Sequence, residues 1–352
     1  MFSKRVVKVG KLTIGGSNSV VIQSMLNKFS EDVNGNLEQA ANLEKTGCEL
    51  IRISVPNKAS LKTVYALKKA LNTPIVADIH FNYKMAIESI YAGVDKIRIN
   101  PGTIEKSNVK SIVAACLQNN IPIRVGINSG SIPVQILKAK GRTPEGLVAA
   151  ALDSVALLNR FDFDNIIISV KSSNVLKTIK AYKLLALDCD YPLHLGVTES
   201  GNLEAGVVKS AIGVGVLLAD GIGDTIRVSL TGDPLGEIVI AKEILKALDL
   251  KKGLNVISCP TCGRTRVDVT KIVNLLKQAL IERHLDDLDM KVAVMGCVVN
   301  GSGEAKEADF GIVAGDGCGV IFKKGEVIKK VAEECLVKEL IKLIEEGKKG
   351  EV

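Results

Sequence analysis

The chain has 352 residues, more than one hydrophobic core usually supports, so we expect two domains. Hydrophobic residues make up 47% and charged residues 24%, which excludes a disordered chain and is typical of a globular protein. The net charge is +7, but aromatic residues reach only 3% and Trp is absent, which argues against a surface that stacks on bases. We therefore expect no nucleic-acid partner.

The amino-terminal segment, MFSKRVVKVGKLTIGG, carries positive charge but lacks the apolar stretch of a signal peptide. No segment approaches the roughly 18 consecutive apolar residues of a membrane-spanning helix. These features predict a cytoplasmic protein with no membrane partner. In that reducing compartment the eight Cys residues are expected to be packing residues or metal ligands rather than disulfides.

Residues 20–232 repeat one unit, a β-rich run followed by a segment with apolar residues at helical spacing. The β-rich runs are 20–27, 49–56, 74–81, 96–102, 122–130, 165–173, 193–200 and 224–232. Alternating strands and helices predict a parallel sheet, and eight units in this length predict a (β/α)8 TIM-type barrel over residues 1–250. The alternative is an open doubly wound sheet, but no G-x-G-x-x-G motif follows the first run.

The repeat ends at the polar segment KKGLN, and residues 251–352 have a different pattern. They predict a helix near 268–286, a strand KVAVMGCV, a Gly-rich turn VNGSGEA, a strand DFGIVAG, a hairpin GVIFKKGEVI and a closing helix. This order indicates a small α+β domain separate from the barrel.

Basic side chains alternate with apolar ones in four of the predicted barrel strands. Because alternate residues point to opposite faces, and the apolar face packs on the helices, the basic ones should point into the barrel. The interior positions predicted in this way are Arg52, Ser54, Arg98, Asn100, Arg124, Gly126, Asn128, Arg227 and Ser229. On equivalent strand ends lie Asp78, His80, Lys171, Thr198 and Glu199. In this fold the carboxyl ends of the strands form the active site.

A guanidinium group inside a barrel is costly without an anion. Each Arg could pair with an interior carboxylate, but the matching strand ends offer chiefly Asp78 and Glu199. The surplus of about three positive charges predicts a ligand with several negative charges. The planar guanidinium group of Arg can donate paired hydrogen bonds to phosphate oxygens. We expect a small phosphorylated substrate, a diphosphate. His80, beside Asp78, is the better functional candidate, whereas His194 can be a core histidine.

Cys259 and Cys262 form a C-x-x-C pair, which is compatible with a zinc site, a redox dithiol or an iron-sulfur site. Pro260 and Gly263 indicate a turn rather than the helix start of a thioredoxin-like dithiol. Structural zinc usually needs a second such pair, and none follows.

Cys297 supplies a third thiol, and three thiolates can hold three irons of a 4Fe-4S cluster while the fourth iron stays open. Cys318 is the alternative third ligand. Glu304 lies near Cys297 in sequence, and from the residues alone it could equally be a solvated loop carboxylate. The remaining thiols, Cys48, Cys116, Cys189 and Cys335, are expected to pack in apolar surroundings.

Several blocks together resemble bacterial 4-hydroxy-3-methylbut-2-enyl diphosphate synthases of the methylerythritol phosphate pathway of isoprenoid biosynthesis, in their two-domain form. These are CPTCGRTRVDV, MGCVVNGSGEAKEADFGIVAG, IRISVP, ADIHFNY, KIRINPGT, IRVGINSGS and SVKSS, and the resemblance covers almost the whole chain. It implies reductive ring opening of 2-C-methyl-D-erythritol 2,4-cyclodiphosphate, with two electrons delivered through a 4Fe-4S cluster and loss of water. The product would be 4-hydroxy-3-methylbut-2-en-1-yl diphosphate.

The resemblance also implies roles for individual residues. Cys259, Cys262, Cys297 and Glu304 would hold the cluster. Substrate would be bound by Arg52, Arg98, Asn100, Arg124, Asn128, Lys171, Thr198, Arg227 and Ser229, and Glu199, Asp78, His80 and Glu304 would be the catalytic candidates. Reduced ferredoxin or flavodoxin would donate electrons. A homodimer would share each active site, because the cluster domain of one chain would cap the barrel of the other.

Two other functions remain open from the sequence. One is a zinc-dependent barrel methyltransferase, which would also use Cys ligands and an anionic substrate. The other is a non-enzymatic iron-sulfur electron carrier or regulator, in which the basic barrel would bind a macromolecule.

Overall fold

The computed structural model describes residues 3–101, 104–285, 288–297 and 307–349. The chain divides into two compact units, one ending at Lys251 and the other beginning at Lys252. Within the described part of the chain, no helix is both long enough and apolar enough to cross a membrane.

The first unit begins with a β-hairpin that the sequence patterns did not predict, because each strand has only four residues. Strands β1 (Val6–Val9) and β2 (Leu12–Gly15) pair antiparallel. Val7, Val9 and Ile14 of the hairpin pack in one apolar cluster with barrel residues near the amino ends of their strands, namely Val21, Leu50, Val76 and Ile167. The hairpin is therefore an apolar plug at the amino-terminal end of the barrel.

Eight parallel strands form the barrel, which confirms the predicted (β/α)8 fold. They are β3 (Val21–Met25), β4 (Leu50–Ser54), β5 (Ile75–Asp78), β6 (Lys96–Ile99), β7 (Ile123–Asn128), β8 (Ile166–Lys171), β9 (His194–Leu195) and β10 (Thr225–Ile226). Strand β10 pairs with both β3 and β9, and a parallel bridge between Ile168 and Leu193 joins β8 to β9. The last two strands are shorter than the predicted runs 193–200 and 224–232, since the chain leaves the ladder after Leu195 and Ile226.

Helices surround the barrel as the apolar periodicity predicts. They are α1 (Val33–Lys45), α2 (Ser60–Ala70), α3 (Tyr83–Tyr91), α4 (Lys106–Asn119), α5 (Val134–Lys140), α6 (Pro144–Asn159), α7 (Val175–Asp188), α8 (Leu203–Ala219) and α9 (Pro234–Ala247). Side chains that cap their first turns fix several starts: Asp32 accepts from Gly35 N, Thr143 from Gly146 N and Asn174 from Lys177 N. The outward strand residues, such as Ile51, Ile97 and Val125, are completely buried against these helices.

The second unit contains a five-stranded sheet with the order β11-β12-β13-β14-β15. The strands are β11 (Asn255–Ser258), β12 (Lys291–Met295), β13 (Phe310–Gly315), β14 (Cys318–Lys323) and β15 (Glu326–Ala332). The first three are parallel, and the last two pair antiparallel. Helix α10 (Val269–Glu282) and the C-terminal helix (Leu336–Lys349) share its apolar core. Strand β11 lacks a strongly apolar run, which explains why the sequence did not predict it.

Candidate functional site

Side chains inside the barrel stack in layers of four that come from alternate strands, as the strand register requires. From the amino to the carboxyl end, the first layer is Leu50, Lys96, Ile167 and Thr225, and the second is Gln23, Val76, Arg124 and His194. The third is Arg52, Arg98, Ser169 and Arg227, the fourth is Met25, Asp78, Gly126 and Gly196, and the fifth is Ser54, Asn100, Lys171 and Ser229, where Arg227, Gly196, Asn100 and Ser229 follow the ends of their strands and continue the alternation. The structure thus places all four predicted arginines inside the barrel, in two adjacent layers.

Asp78 lies among three cationic or potentially cationic groups. Its Oδ1 is 3.2 Å from Arg98 Nη1, and its Oδ2 is 3.7 Å from Arg52 Nε and 3.4 Å from His80 Nε2. Burial alone would raise the pKa of Asp78, but Arg52, His80 and Arg98 outweigh it and hold that pKa well below its ordinary value. Asp78 is therefore an ionised carboxylate that orients the two arginines.

Replacing Asp78 by Asn is expected to destabilise the barrel by about 3–5 kcal/mol, because Arg52 and Arg98 would keep their charge without this carboxylate. Since the native pKa is depressed, the contribution of Asp78 to stability is complete above the ordinary pKa of 3.8 and is lost as the pH falls through the native value. The difference in free energy of unfolding between wild type and Asp78→Asn should be constant from neutral pH to about pH 5 and narrow below about pH 4.

Urea unfolding at a series of pH values measures this difference. Asp220→Asn is a matched control, because Asp220 pairs with Lys183 at the surface, where an ion pair contributes at most about 1 kcal/mol. A difference for Asp78→Asn no larger than that of the control would contradict the orienting role.

A second interior carboxylate, which the sequence reasoning missed, comes from a helix rather than from a strand end. Glu237, in the first turn of α9, binds Arg227 through both oxygens, at 3.3 Å from Nε and 3.1 Å from Nη2. It also accepts hydrogen bonds from Ser24 Oγ and Leu230 N. Glu199, which the sequence offered as the other strand-end carboxylate beside Asp78, is exposed in the loop after β9, with φ at +53°. The sequence could have indicated Glu237, because it is the acidic residue in the first helical turn after Asp233 and Pro234.

Three further basic side chains lack a carboxylate partner among the described residues. Arg124 donates from Nη1 to Ser169 Oγ at 2.8 Å, and Lys171 Nζ lies 3.5 Å from the carbonyl oxygen of Leu195. Lys96, which the sequence reasoning did not single out, is fully buried. Burial is the main cause that lowers the pKa of each of the three, and neighbouring arginines add to it. The interior is therefore short of negative charge, as predicted.

Two glycines make room for these cations. A Cβ atom at Gly126 would lie 2.4 Å from Arg98 Nε, and one at Gly196, where φ is +158°, would lie 2.6 Å from Lys171 Nζ. Real Cβ contacts are not that short, so any other residue at these positions would displace Arg98 or Lys171. The backbone is thus shaped around the basic side chains.

The predicted neutral residues lie at the carboxyl end of the strands. Asn100 Nδ2 donates to the carbonyl oxygen and the hydroxyl of Ser131, and Ser131 Oγ also accepts from the backbone N of Asn128. Thr198 donates its backbone N to Ser172 O in the neighbouring loop. Ser229 is half-buried in the segment after β10. These residues surround the opening at the carboxyl end of the barrel, called the mouth below, which lies above the arginines.

Two of the predicted thiol ligands follow neighbouring parallel strands of the second unit. Cys259 comes directly after β11, and Cys297 comes two residues after β12. The backbone N of Gly296 donates to Cys259 Sγ at 3.3 Å, which places the Cys259 thiol beside the residue that precedes Cys297. The carboxyl ends of neighbouring parallel strands lie on the same side of a sheet. Both thiols therefore lie on that side.

Cys262 is exposed in the turn after Cys259. Hydrogen bonds from the backbone of Arg264 and from Thr265 lower the pKa of the Cys262 thiol, which favours the thiolate that binds metals. Glu304 lies outside the described residues. Cys318 opens β14, and strand β13 separates it from β12. The buried thiols Cys48 and Cys116 have pKa values raised by burial, as packing residues do.

The donor set is one that an iron-sulfur cluster takes, because Cys259, Cys262 and Cys297 offer soft sulfur ligands. Among the residues whose placement is described, no three His, Cys, Asp or Glu side chains are grouped as a site for a single metal ion.

A closed parallel barrel with an excess of interior basic side chains defines a TIM-barrel protein with a basic interior. The GcpE TIM-barrel domain matches residues 4–242 and the GcpE protein C-terminal domain matches residues 255–346. The chain therefore belongs to the GcpE family, which confirms the resemblance to this enzyme family.

Among curated relatives, a protein of Caldicellulosiruptor saccharolyticus is 56% identical over 96% of this chain and 97% of its own length. One of Caldanaerobacter subterraneus subsp. tengcongensis is 53% identical over 99% and 98%. Both are named 4-hydroxy-3-methylbut-2-en-1-yl diphosphate synthase (flavodoxin). Among solved structures, dihydropteroate synthase of Stenotrophomonas maltophilia is 12% identical, with a TM-score of 0.52 over 69% of this chain and 98% of that one. That likeness shows the barrel fold alone.

Proposed function

We propose that the chain reductively opens 2-C-methyl-D-erythritol 2,4-cyclodiphosphate to 4-hydroxy-3-methylbut-2-en-1-yl diphosphate in isoprenoid biosynthesis. The observation that carries this proposal is the shortage of negative charge inside the barrel. Six basic side chains, Arg52, Lys96, Arg98, Arg124, Lys171 and Arg227, face two carboxylates, Asp78 and Glu237. The names of the relatives support a diphosphate as the anion that compensates this excess.

In this proposal the residues up to 250 bind substrate, and the third to fifth layers, together with Arg124 just below them, bind its two phosphoryl groups. Asp78 holds Arg98 and Arg52 in position, and Glu237 holds Arg227. The three guanidinium groups are therefore oriented before substrate arrives. Lys171 and Arg124 add charge, and Asn100, Asn128, Thr198 and Ser229 add hydrogen bonds at the mouth. Such preorganisation reduces the entropy that binding would otherwise cost.

Residues 251–352 would form the cluster domain, with Cys259, Cys262 and Cys297 as thiolate ligands and Glu304 as the fourth ligand. A bound 4Fe-4S cluster would supply single electrons, and the iron held by Glu304 would supply Lewis acidity through an exchangeable position. The electrons would come from reduced flavodoxin or ferredoxin, and the name of the relatives specifies flavodoxin.

Proton handling is assigned to groups at the mouth of the barrel. His80 is more than half exposed, and its Nε2 faces the Asp78 carboxylate, so Asp78 would hold the imidazole in place while it donates a proton to the departing hydroxyl. Asp78 itself is ionised and would not be the donor. Glu199, exposed on the loop after β9, would be the alternative donor.

The active site would be shared between two chains. Lys251, the last residue of the barrel unit, pairs with Glu49 just before β4, so the chain leaves the barrel at its amino-terminal end, opposite the mouth. Loops at the mouth expose large apolar side chains, with Phe29 87%, Phe81 77% and Leu203 59% exposed. An exposed apolar rim indicates a surface that another protein covers, and the cluster domain of the partner subunit is the proposed occupant.

Mixed dimers test the shared site. At a substrate concentration well below the weakened dissociation constant, Arg98→Ala and Cys297→Ala chains should each have little activity alone, whereas random exchange of subunits should restore about a quarter of wild-type activity, because half the dimers would carry one intact site of two. Activity measured after subunits are dissociated and reassembled checks this. Mixing two Arg98→Ala preparations is the control, and no recovery in the mixed sample would exclude a shared site.

Metal content and spectroscopy test the function itself. Anaerobically purified protein should contain about four iron and four sulfide per chain, as a 4Fe-4S cluster requires. Its spectrum should change when the cyclic diphosphate is added, and dithionite-reduced protein should form the linear diphosphate. Zinc without sulfide would instead support the methyltransferase, and a cluster without turnover would support an electron carrier.

A further inference from the structure

The two lowest layers of the barrel contain four buried polar side chains, and only one of them, Arg124, is assigned a contact with the diphosphate. Lys96 belongs to the first layer, and Gln23, Arg124 and His194 belong to the second. All four point toward the barrel axis, and none is more than 2% exposed. They lie below the arginines and the lysine assigned to the diphosphate, apart from Arg124, which borders both regions.

These groups have hydrogen-bonding atoms without a partner among the described residues. The atoms are Lys96 Nζ, both amide atoms of Gln23, Arg124 Nε and Nη2, and His194 Nε2. The ring of His194 is bonded through Nδ1 to the Thr225 hydroxyl. When that hydroxyl donates, Nε2 carries the proton, so the unpartnered atoms are predominantly donors. Buried donors of this kind cost free energy unless something accepts from them.

The surroundings exclude a protein carboxylate as that acceptor. Asp78 lies two layers higher, where it binds Arg98 and Arg52, and Glu237 is bound to Arg227. Below and beside the group, the apolar plug contacts Leu50, Val76 and Ile167, which closes this end to solvent. The charges that act on Lys96 are those of Arg124 and Arg52, which are of the same sign.

We propose that these two layers bind one small monovalent inorganic anion of the size of chloride. Lys96 Nζ is its main charged contact, and the Gln23 amide, His194 Nε2 and the lower edge of Arg124 are its other donors. Two features fix the class of ligand. Every charge near these atoms is positive, and a single monovalent negative charge balances Lys96 while the diphosphate occupies the layers above.

This anion would have a structural role that does not depend on the reaction. It would let Lys96 remain charged in the interior, and it would support Arg124 from below so that its upper edge faces the diphosphate. The proposal therefore stands or fails separately from the identity of the substrate.

Bromide is the probe, because it replaces chloride and scatters X-rays anomalously. Crystals of the anaerobically purified protein grown with bromide as the main anion should show an anomalous peak within hydrogen-bonding distance of Lys96 Nζ. The peak should remain when the cyclic diphosphate is bound. In solution, the melting temperature should be roughly 2–4 °C higher in bromide than in gluconate at equal ionic strength.

Lys96→Met is the matched variant, because it keeps the volume of the side chain and removes the charge, a change that buried sites often tolerate. It should lose both the peak and the difference between bromide and gluconate. Lys8→Met, at an exposed position of β1, should keep both. An empty interior in wild-type crystals, bromide at exposed lysines as an adventitious ion only, displacement of the peak by the diphosphate, or a difference that survives in Lys96→Met would each overturn the proposal.

Discussion

Replacing Cys297 by Ala is expected to abolish assembly of the 4Fe-4S cluster and to lower kcat/KM by at least about 1,000-fold. Cys297 follows Gly296, whose backbone N donates to Cys259 Sγ where β11 and β12 end, so its loss would leave two thiols for a cluster that needs three. Iron and sulfide analysis of anaerobically reconstituted protein, together with turnover with reduced flavodoxin, measures the effect. The barrel should still bind the cyclic diphosphate, because the groups proposed to bind it are in the other unit.

Cys318→Ala is the matched control, since Cys318 is a thiol of the same sheet that β13 separates from β12. It should retain about four irons per chain and activity within a factor of about two of wild type. If Cys318→Ala lost its iron while Cys297→Ala kept it, the assignment of ligands would be wrong.

Replacing Arg98 by Ala is expected to weaken binding of the cyclic diphosphate by roughly 10- to 150-fold. A hydrogen bond between charged groups contributes about 1.5–3 kcal/mol, and Arg98 would provide at least one to a phosphoryl oxygen. Asp78 would keep Arg52 as its ion-pair partner, so the barrel should remain folded. A titration of the reduced protein with the diphosphate, followed by the spectrum of the cluster, gives the dissociation constant.

Arg124→Ala should weaken binding to a similar degree, whereas Arg160→Ala should not. Arg160 lies at the exposed end of α6 and serves as the control for loss of net charge. Loss of affinity that disappears at high salt in all three variants alike would indicate general attraction rather than a site. Unchanged affinity in Arg98→Ala and Arg124→Ala would require another substrate site.

The strand pattern was sufficient to place Arg52, Arg98, Arg124 and Arg227 in the interior, because alternation in a strand fixes which face a side chain takes. It could not identify Glu237, because a helix residue reaches the barrel interior only through the packing of α9 against β3. The same alternation puts Lys96, two residues before Arg98, on the interior face, although the sequence analysis did not single it out. Position within a strand is local information, whereas pairing between elements depends on the closed barrel.

The second unit shows the same division. The sequence was sufficient to identify the C-x-x-C pair and Cys297 as candidate metal ligands. Their proximity, however, depends on the parallel pairing of β11 with β12. Strand β11 was not predicted, because its residues are half-buried and alternate weakly. The relation between Cys259 and Cys297 therefore needed the structure.

The hairpin β1–β2 limits where substrate can enter the barrel and where product can leave it. Because Val7, Val9 and Ile14 fill the amino-terminal end of the barrel, this end offers no passage to a charged compound. Substrate would enter, and product and water would leave, through the same mouth. In the proposed dimer that mouth is also where the partner docks, so each turnover would require the two chains to part and meet again. The rate of this opening, rather than of bond cleavage, is then a candidate for the step that limits kcat.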